Sequence, residues 1–164
     1  MMERERVDRI PYSNWEREGW ITPTEGDVID YTWIEKDILE LSERFNVQEV
    51  AYDPWSAQQT ALRIRDDMGL PVVPIRQGFM SLSEPTKEFE RLVVSGKLAH
   101  GGNSCLTWQA ANVQLRHDPA GNIKPDKGRQ THKIDGIAAS IIALARASLW
   151  DGGSVYEEEG ILVL

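Results

Sequence analysis

The sequence predicts an α/β fold, and three observations support this prediction. Segments typical of helices and of strands alternate over residues 31–95, the order expected for parallel strands joined by helices. Apolar residues make up 41% of the 164 residues, enough for one domain with a core of its own. Proline and glycine stand where the segments end, as expected for residues that stop strands and helices.

The first half of the chain contains the clearest elements. A charged helical lead-in over residues 3–18 is broken at Pro11. Asp30 caps a predicted helix over residues 31–45, and the spacing of its apolar residues gives one stripe formed by Ile34, Ile38, Leu41 and Phe45. The chain then continues as a predicted strand, helix and strand over residues 47–52, 56–68 and 71–75.

The second half alternates less regularly. A third helix is predicted to begin at a cap on Ser81 or Ser83 and to end near residue 95. After it we expect a brief strand at 97–99, a helix over 106–115, a loop or hairpin over 117–130, and a final helix, capped by Thr131, that ends near residue 149. Two parallel strands do not make a stable sheet, so a further strand that should pair with the one at 47–52 is missing from these elements.

Asp53 is the first candidate functional residue, because it directly follows the strand predicted over residues 47–52. A carboxylate at the C-terminal end of a strand lies where α/β sheets hold their sites. The alternative is that Asp53 only caps the turn before the next helix, which is a common role for aspartate. The sequence leaves both roles open.

Asp135 is the second candidate. It lies in the first turn of a segment, residues 134–145, that is apolar on nearly every face and is therefore predicted to be a buried helix. A charge in such a helix is costly unless it is paired or bound to a metal. The alternative is a favourable contact with the helix N-terminus alone, worth about 0.3–1 kcal/mol.

The two aspartates together are typical of one kind of chemistry. Separated carboxylates that converge in a fold are the usual oxygen ligands of divalent metals. Two such metals stabilise both the attacking and the leaving oxygen of a phosphodiester. Asp53 and Asp135 are therefore candidate catalytic and metal-binding residues.

The charge balance limits how this chain could contact nucleic acid. The 18 Lys and Arg residues stand against 26 Asp and Glu residues, so the net charge is −8 and a globally basic surface is excluded. A local run of basic residues precedes Asp135 and is a candidate contact for a phosphate backbone, as is Arg76 after a predicted strand; the run comprises Lys124, Lys127, Arg129 and Lys133. The alternative for the run is a solvated loop.

Several classes of protein are not supported by the sequence. No Walker A motif occurs, so we expect no ATP hydrolysis. Cys105 is the single cysteine, which excludes an internal disulfide and fits a reducing cytoplasm. The longest strongly apolar stretch, residues 137–149, is too short to span a bilayer, so no membrane association is expected.

Five segments follow one another in an order that is specific to a family. They are AYDPW at 51–55, QGFMSLSEPTK at 77–87, LAHGGN at 98–103, DPAGNIKPDK at 118–127 and KIDGI at 133–137. Together they resemble the C-terminal nuclease domain of tailed-phage terminase large subunits. The resemblance extends from about residue 3 to residue 150, and we expect residues 1–150 to form a partial nuclease-like domain followed by a tail at 151–164.

The resemblance implies a fold and an activity. The fold is an α/β, ribonuclease H-like three-layer fold with few strands and several helices, here N-terminally truncated. The activity is that of an endonuclease that cuts concatemeric double-stranded DNA for phage genome packaging, with Mg²⁺ or Mn²⁺. Asp53 and Asp135 match the family's acidic residues at the end of the fourth core strand and on the C-terminal helix. The family also implies a terminase small subunit and a portal as partners, and the bacterial host cytoplasm as the location.

The sequence also departs from the family pattern. Neither the ATPase domain nor the first three strands of the nuclease fold, one of which carries another catalytic aspartate, are recognised in it. The alternative function is therefore a catalytically impaired remnant, of a prophage for example, that acts as a DNA-binding or assembly module. The unpartnered edge of the strand at 47–52 would also allow a homo-oligomer through strand pairing.

Overall fold

A computed structural model describes residues 2–24, 26, 29–129 and 131–150, without the side chains of residues 2 and 56. The predicted tail at 151–164 lies outside the described residues. Helices and strands alternate over residues 31–94, as the sequence predicts. In chain order the elements are α1 Met2–Asp8, α2 Tyr12–Arg17, α3 Tyr31–Arg44, β1 Val50–Tyr52, α4 Pro54–Met68, β2 Val72–Pro74, α5 Phe79–Val94, α6 Ser104–Ala110, β3 Val113–His117, β4 Ile123–Lys127 and α7 Asp135–Ala147.

The β1–α4–β2 unit is the α/β part of the fold, and its ends follow local chemistry. Strands β1 and β2 are parallel, with Val50 opposite Val72. Proline at the first position of α4 has no N–H to lose, and Gly69 ends the helix with a left-handed φ of 71° that glycine adopts without strain. Both strands are shorter than predicted, because only three residues of each pair in the ladder.

A β-hairpin replaces part of a predicted helix. Helix α6 ends at Ala110, and residues 113–117 form β3, which pairs antiparallel with β4. The helix expected over residues 106–115 is therefore wrong beyond residue 110, whereas the hairpin alternative for 117–130 is confirmed. The Asp118 carboxylate closes the hairpin turn: it accepts hydrogen bonds from Asn122 and from the Ala120 N–H, and these hold its pKa below the usual value.

The starts of two helices differ from the predicted caps because tertiary contacts replace local ones. Helix α5 begins at Phe79, and Ser83 lies buried inside it, where its hydroxyl accepts a hydrogen bond of 3.2 Å from the Ile123 N–H. Helix α7 begins at Asp135 rather than after Thr131 and has no side-chain cap of its own at its N-cap residue. Its Gly136 N–H instead donates to Gln109 Oε1 on α6 at 2.6 Å. The brief strand expected at 97–99 is not formed.

The main hydrophobic core lies between α5 and α7. Leu82 on α5 packs against three isoleucines of α7, and Ala51 of β1 contacts the same cluster; the isoleucines are Ile137, Ile141 and Ile142. A second cluster joins α2 to α6 through Trp15 and Cys105. The rings of Trp15 and Trp108 lie 5.3 Å apart in this second cluster.

Helix α3 matches its predicted bounds, but its apolar stripe is not buried. Asp30 caps it by accepting a hydrogen bond from the Thr32 N–H, as predicted. An ion pair of 3.1 Å between Glu35 and Arg63 attaches it to α4. Most of the stripe stays exposed, since within the described part of the chain α3 packs chiefly against α4. No helix among the described residues combines the length and apolar character that a membrane span requires.

Replacing Leu82 with alanine tests the assignment of the core. Leu82 is 1% exposed, so the substitution leaves a cavity that its neighbours fill only in part. We expect the free energy of unfolding to fall by about 2–5 kcal/mol. Urea denaturation of the variant against Val94→Ala, an exposed position on the same helix, measures the difference. Equal stability of the two variants would contradict the assignment.

Candidate functional site

A groove of about 920 Å³ lies where β1, the β3–β4 hairpin and α7 meet, and Ala51 of β1 lines it. Val50 donates a hydrogen bond to Pro71 on the β2 side, and Tyr52 accepts one from Ile75 on the same side. In a parallel ladder the residue between two such positions directs its N–H and C=O to the other edge. Among the described residues no strand pairs with that edge of β1.

Asp53 lines this groove directly after β1. It is partly buried, and its Oδ1 accepts a hydrogen bond of 3.0 Å from the Trp55 N–H, so Asp53 is the N-cap of α4. The capping role that the sequence left open is therefore observed. It uses only part of the acceptor capacity of a carboxylate, which accommodates several partners.

Asp135 lines the same groove from the first turn of α7. Its side chain is exposed, so it avoids the cost of a buried charge although the rest of α7 is largely apolar. Helix α7 packs against β1, and this contact brings the start of α7 to the groove that Asp53 also lines. Two aspartates 82 positions apart in sequence thus share one groove.

The five candidate phosphate contacts do not all lie at this groove, and Arg129 is among those that do not line it. Lys124 and Lys127 of β4 line it. The Lys124 ammonium donates to the Gln77 carbonyl at 3.3 Å and lies 5.4 Å from the centre of the Phe79 ring. Arg76 lines a second groove of about 850 Å³, and Lys133 lines neither groove.

Asp126 is a groove residue that the sequence did not single out. It lines the groove together with both candidate aspartates, and its Oδ2 lies 3.9 Å from Arg116 Nη1 on the paired strand. Only the hairpin register would have located it, because residues 123–127 read as part of a loop until β4 is paired with β3. Among the described residues, no three His, Cys, Asp or Glu side chains form a cluster that could hold a metal ion.

An ion pair fixes the opposite end of the groove. The Arg146 guanidinium on α7 donates two hydrogen bonds to the Glu49 carboxylate just before β1. The hydrogen bond from Arg146 lowers the pKa of Glu49. Because Glu49 and Arg146 are separated by most of the chain, no local pattern in the sequence indicated this pair.

Comparison with known proteins places the chain in a family. The family described as "Terminase large subunit, endonuclease domain" matches residues 2–150. This chain belongs to that family. The match confirms the resemblance inferred from the five sequence segments.

The chain is also similar to individual proteins. The chain is 35% identical over 160 residues to the terminase large subunit of Enterobacteria phage HK97, covering 96% of this chain and 31% of that protein. It is 32% identical over 142 residues to protein YmfN of Escherichia coli K12, covering 85% and 31%. The chain thus spans about a third of the length of these relatives.

A solved structure confirms the fold. The crystal structure of the HK97 bacteriophage large terminase superposes with a TM-score of 0.79 at 35% sequence identity, covering 88% of this chain and 30% of that chain. The fold is therefore the ribonuclease H-like α/β fold expected from the resemblance, with few strands and several helices among the described residues.

Replacing Arg146 with methionine tests the ion pair that holds α7 to β1. Glu49 and Arg146 are both partly buried, and we expect the variant to lose about 1 kcal/mol of unfolding free energy at neutral pH. The pKa of Glu49 is lower in the folded chain than its ordinary value of 4.5. The ion pair therefore stabilises the fold fully at pH values above 4.5, and this stabilisation is lost as the pH falls through the folded pKa.

Urea denaturation at neutral and at acid pH measures this effect. The difference in unfolding free energy between the wild-type chain and Arg146→Met should become smaller as the pH falls below 4.5. Lys87→Met is a matched control, because its ion pair with Glu84 is local to one helix and exposed. A difference that does not change with pH would contradict the assigned role of the pair.

Proposed function

We propose that this chain acts as a divalent-metal-dependent endonuclease domain that cuts concatemeric double-stranded phage DNA for genome packaging. Asp53 and Asp135 are the proposed catalytic and metal-binding residues. One observation carries the proposal: in a member of the terminase endonuclease family, these two carboxylates line one groove beside Lys124 and Lys127. The groove therefore combines ligands for a hard cation with partners for a phosphate.

The donor set of the groove fits Mg²⁺ or Mn²⁺. Both proposed ligands are carboxylates, and hard divalent cations prefer oxygen ligands. Mg²⁺ is commonly held by one or two carboxylates, with water and substrate phosphate oxygens filling the other positions. Asp53 and Asp135 satisfy this requirement without a third protein ligand. When bound, a divalent cation would neutralise part of the phosphate charge and lower the pKa of a water molecule at the site.

The protein's own residues position the substrate in this proposal. The carboxylates of Asp53 and Asp135 repel a phosphodiester on their own, so the groove needs positive charge before DNA can approach. Lys124 and Lys127 supply part of it from the hairpin. Lys124 is restrained by Gln77 and Phe79, which lowers the entropy that it would lose on binding a phosphate.

Flanking contacts and partners complete the proposal. Arg76 and Lys133 act as phosphate contacts outside the groove. Residues 1–150 form the nuclease-like domain, the terminase small subunit and portal are its assembly partners, and the host cytoplasm is its location. The free edge of β1 allows a homo-oligomer through strand pairing.

Replacing either aspartate with asparagine tests the catalytic assignment. Asparagine keeps the size of the side chain and removes the negative charge that a divalent cation requires. We expect Asp53→Asn and Asp135→Asn each to lower Mn²⁺-dependent plasmid nicking by at least about a hundredfold, with weaker Mn²⁺ binding by calorimetry. Asp67→Asn, an exposed carboxylate on α4 outside the groove, is the matched control.

The alternative function gives the opposite results. A non-catalytic remnant shows no nicking above the level of the Asp135→Asn variant, and no Mn²⁺ site that depends on Asp53. Nicking by Asp135→Asn at the wild-type rate would remove Asp135 from the site.

Salt dependence tests the proposed phosphate contacts. Each lysine that neutralises a phosphate releases condensed counterions. Lys124→Ala and Lys127→Ala should therefore each reduce, by about one, the steepness with which the log of the DNA-binding constant falls against the log of the salt concentration. Binding of a duplex oligonucleotide in EDTA measures affinity without cleavage. Lys97→Ala, which lies outside the groove, should leave the slope unchanged. If all three variants have the same slope, Lys124 and Lys127 do not contact phosphates.

A further inference from the structure

We propose that Trp55 contacts DNA through the face of its indole. The contact lies next to the DNA phosphate that the proposed function places at Asp53. Trp55 is 86% exposed, the most exposed of the tryptophans, all of which lie in the described part of the chain. It stands two residues after Asp53 on the first turn of α4. The inference rests on the proposed function, because that function places DNA at Asp53.

The backbone holds Trp55 in a defined position. Its N–H donates to the Asp53 carboxylate at 3.0 Å, and Pro54 before it restricts the backbone at the start of the helix. Asp53 lines the first groove and Pro54 lines the second, whereas Trp55 lines neither. The indole is thus anchored at its backbone and exposed at its ring, and it follows directly in the chain after residues that line the two grooves.

The exposed ring of Trp55 takes part in no aromatic or cation–π contact within the part of the chain that the structure describes. Leaving so large an apolar side chain in water forfeits the burial that tryptophan normally obtains. A single exposed apolar side chain needs no explanation by itself, and it is the position of Trp55, two residues after Asp53 in the chain, that points to a ligand.

DNA is the ligand that the surroundings favour. Lys124 and Lys127 line the groove of Asp53 and provide for the phosphates, but phosphate contacts leave the sugar and base surfaces without a partner. In a duplex the base faces are already stacked on one another, so an apolar side chain binds by packing against the sugars or by inserting between base steps. The contact would hold the backbone in place beside the carboxylates, so Trp55 is a DNA-positioning residue.

Binding of a labelled duplex oligonucleotide in EDTA by the full chain tests the proposal. We expect Trp55→Ala to weaken binding about tenfold at every salt concentration, with the salt slope unchanged, because an apolar contact releases no counterions. Trp55→Phe should recover most of the affinity. Val94→Ala is the control, since Val94 is 82% exposed at the far end of α5 and should bind as the wild type does.

Four results would overturn the proposal. They are wild-type affinity in Trp55→Ala, a salt slope that falls as it does for the lysine variants, loss of thermal stability in Trp55→Ala, and a wild-type chain that binds no DNA. A failure of the proposed function can be distinguished from a failure of the Trp55 contact. Nicking by Asp53→Asn at the wild-type rate rejects the catalytic site while the Trp55 binding result stands on its own. In Mn²⁺ the expected signature of Trp55→Ala is a raised KM with a smaller change in kcat.

Discussion

Burial of the apolar face of α7 governs how the neighbouring elements are arranged. This helix buries Ile137, Ile141 and Ile142, so it has to lie against Leu82 of α5 and the β1 strand. The same packing fixes where its first residue stands. Asp135 reaches the groove of Asp53 because the apolar face of α7 has no other large surface to cover among the described residues. The hydrophobic core therefore positions a polar site that it does not itself contain.

Two polar contacts set the direction and the register of α7. At its start, Gln109 of α6 accepts the Gly136 N–H that no residue of α7 caps. Near its end, Arg146 binds Glu49 just before β1. Apolar packing alone tolerates sliding of a helix along its axis, whereas a hydrogen bond at each end does not. We infer that these contacts set the position of the Asp135 carboxylate along the axis of α7, within the orientation that the core imposes.

The observed capping role of Asp53 is compatible with its proposed role as a metal ligand. As the N-cap of α4 it satisfies a free backbone N–H, and this hydrogen bond restricts the orientation of the carboxylate. A restricted carboxylate loses less entropy when it binds a cation than a freely rotating one does. The cap and the proposed metal site therefore support each other, and the two roles that the sequence left open need not exclude each other.

Local residue order is enough to predict the α/β alternation, the cap of α3 at Asp30, the aspartate after β1 and the family. Only the tertiary structure decided the ends of α6 and α7, the hairpin register and the contacts between distant residues. Ser83 shows the physical reason: its hydroxyl could cap a helix locally, but it is buried and bonds to Ile123 instead. Strand pairing and packing place Asp126 at the groove and keep Arg76 and Lys133 away from it. Both depend on residues far apart in the chain, so no short segment of the sequence could have predicted them.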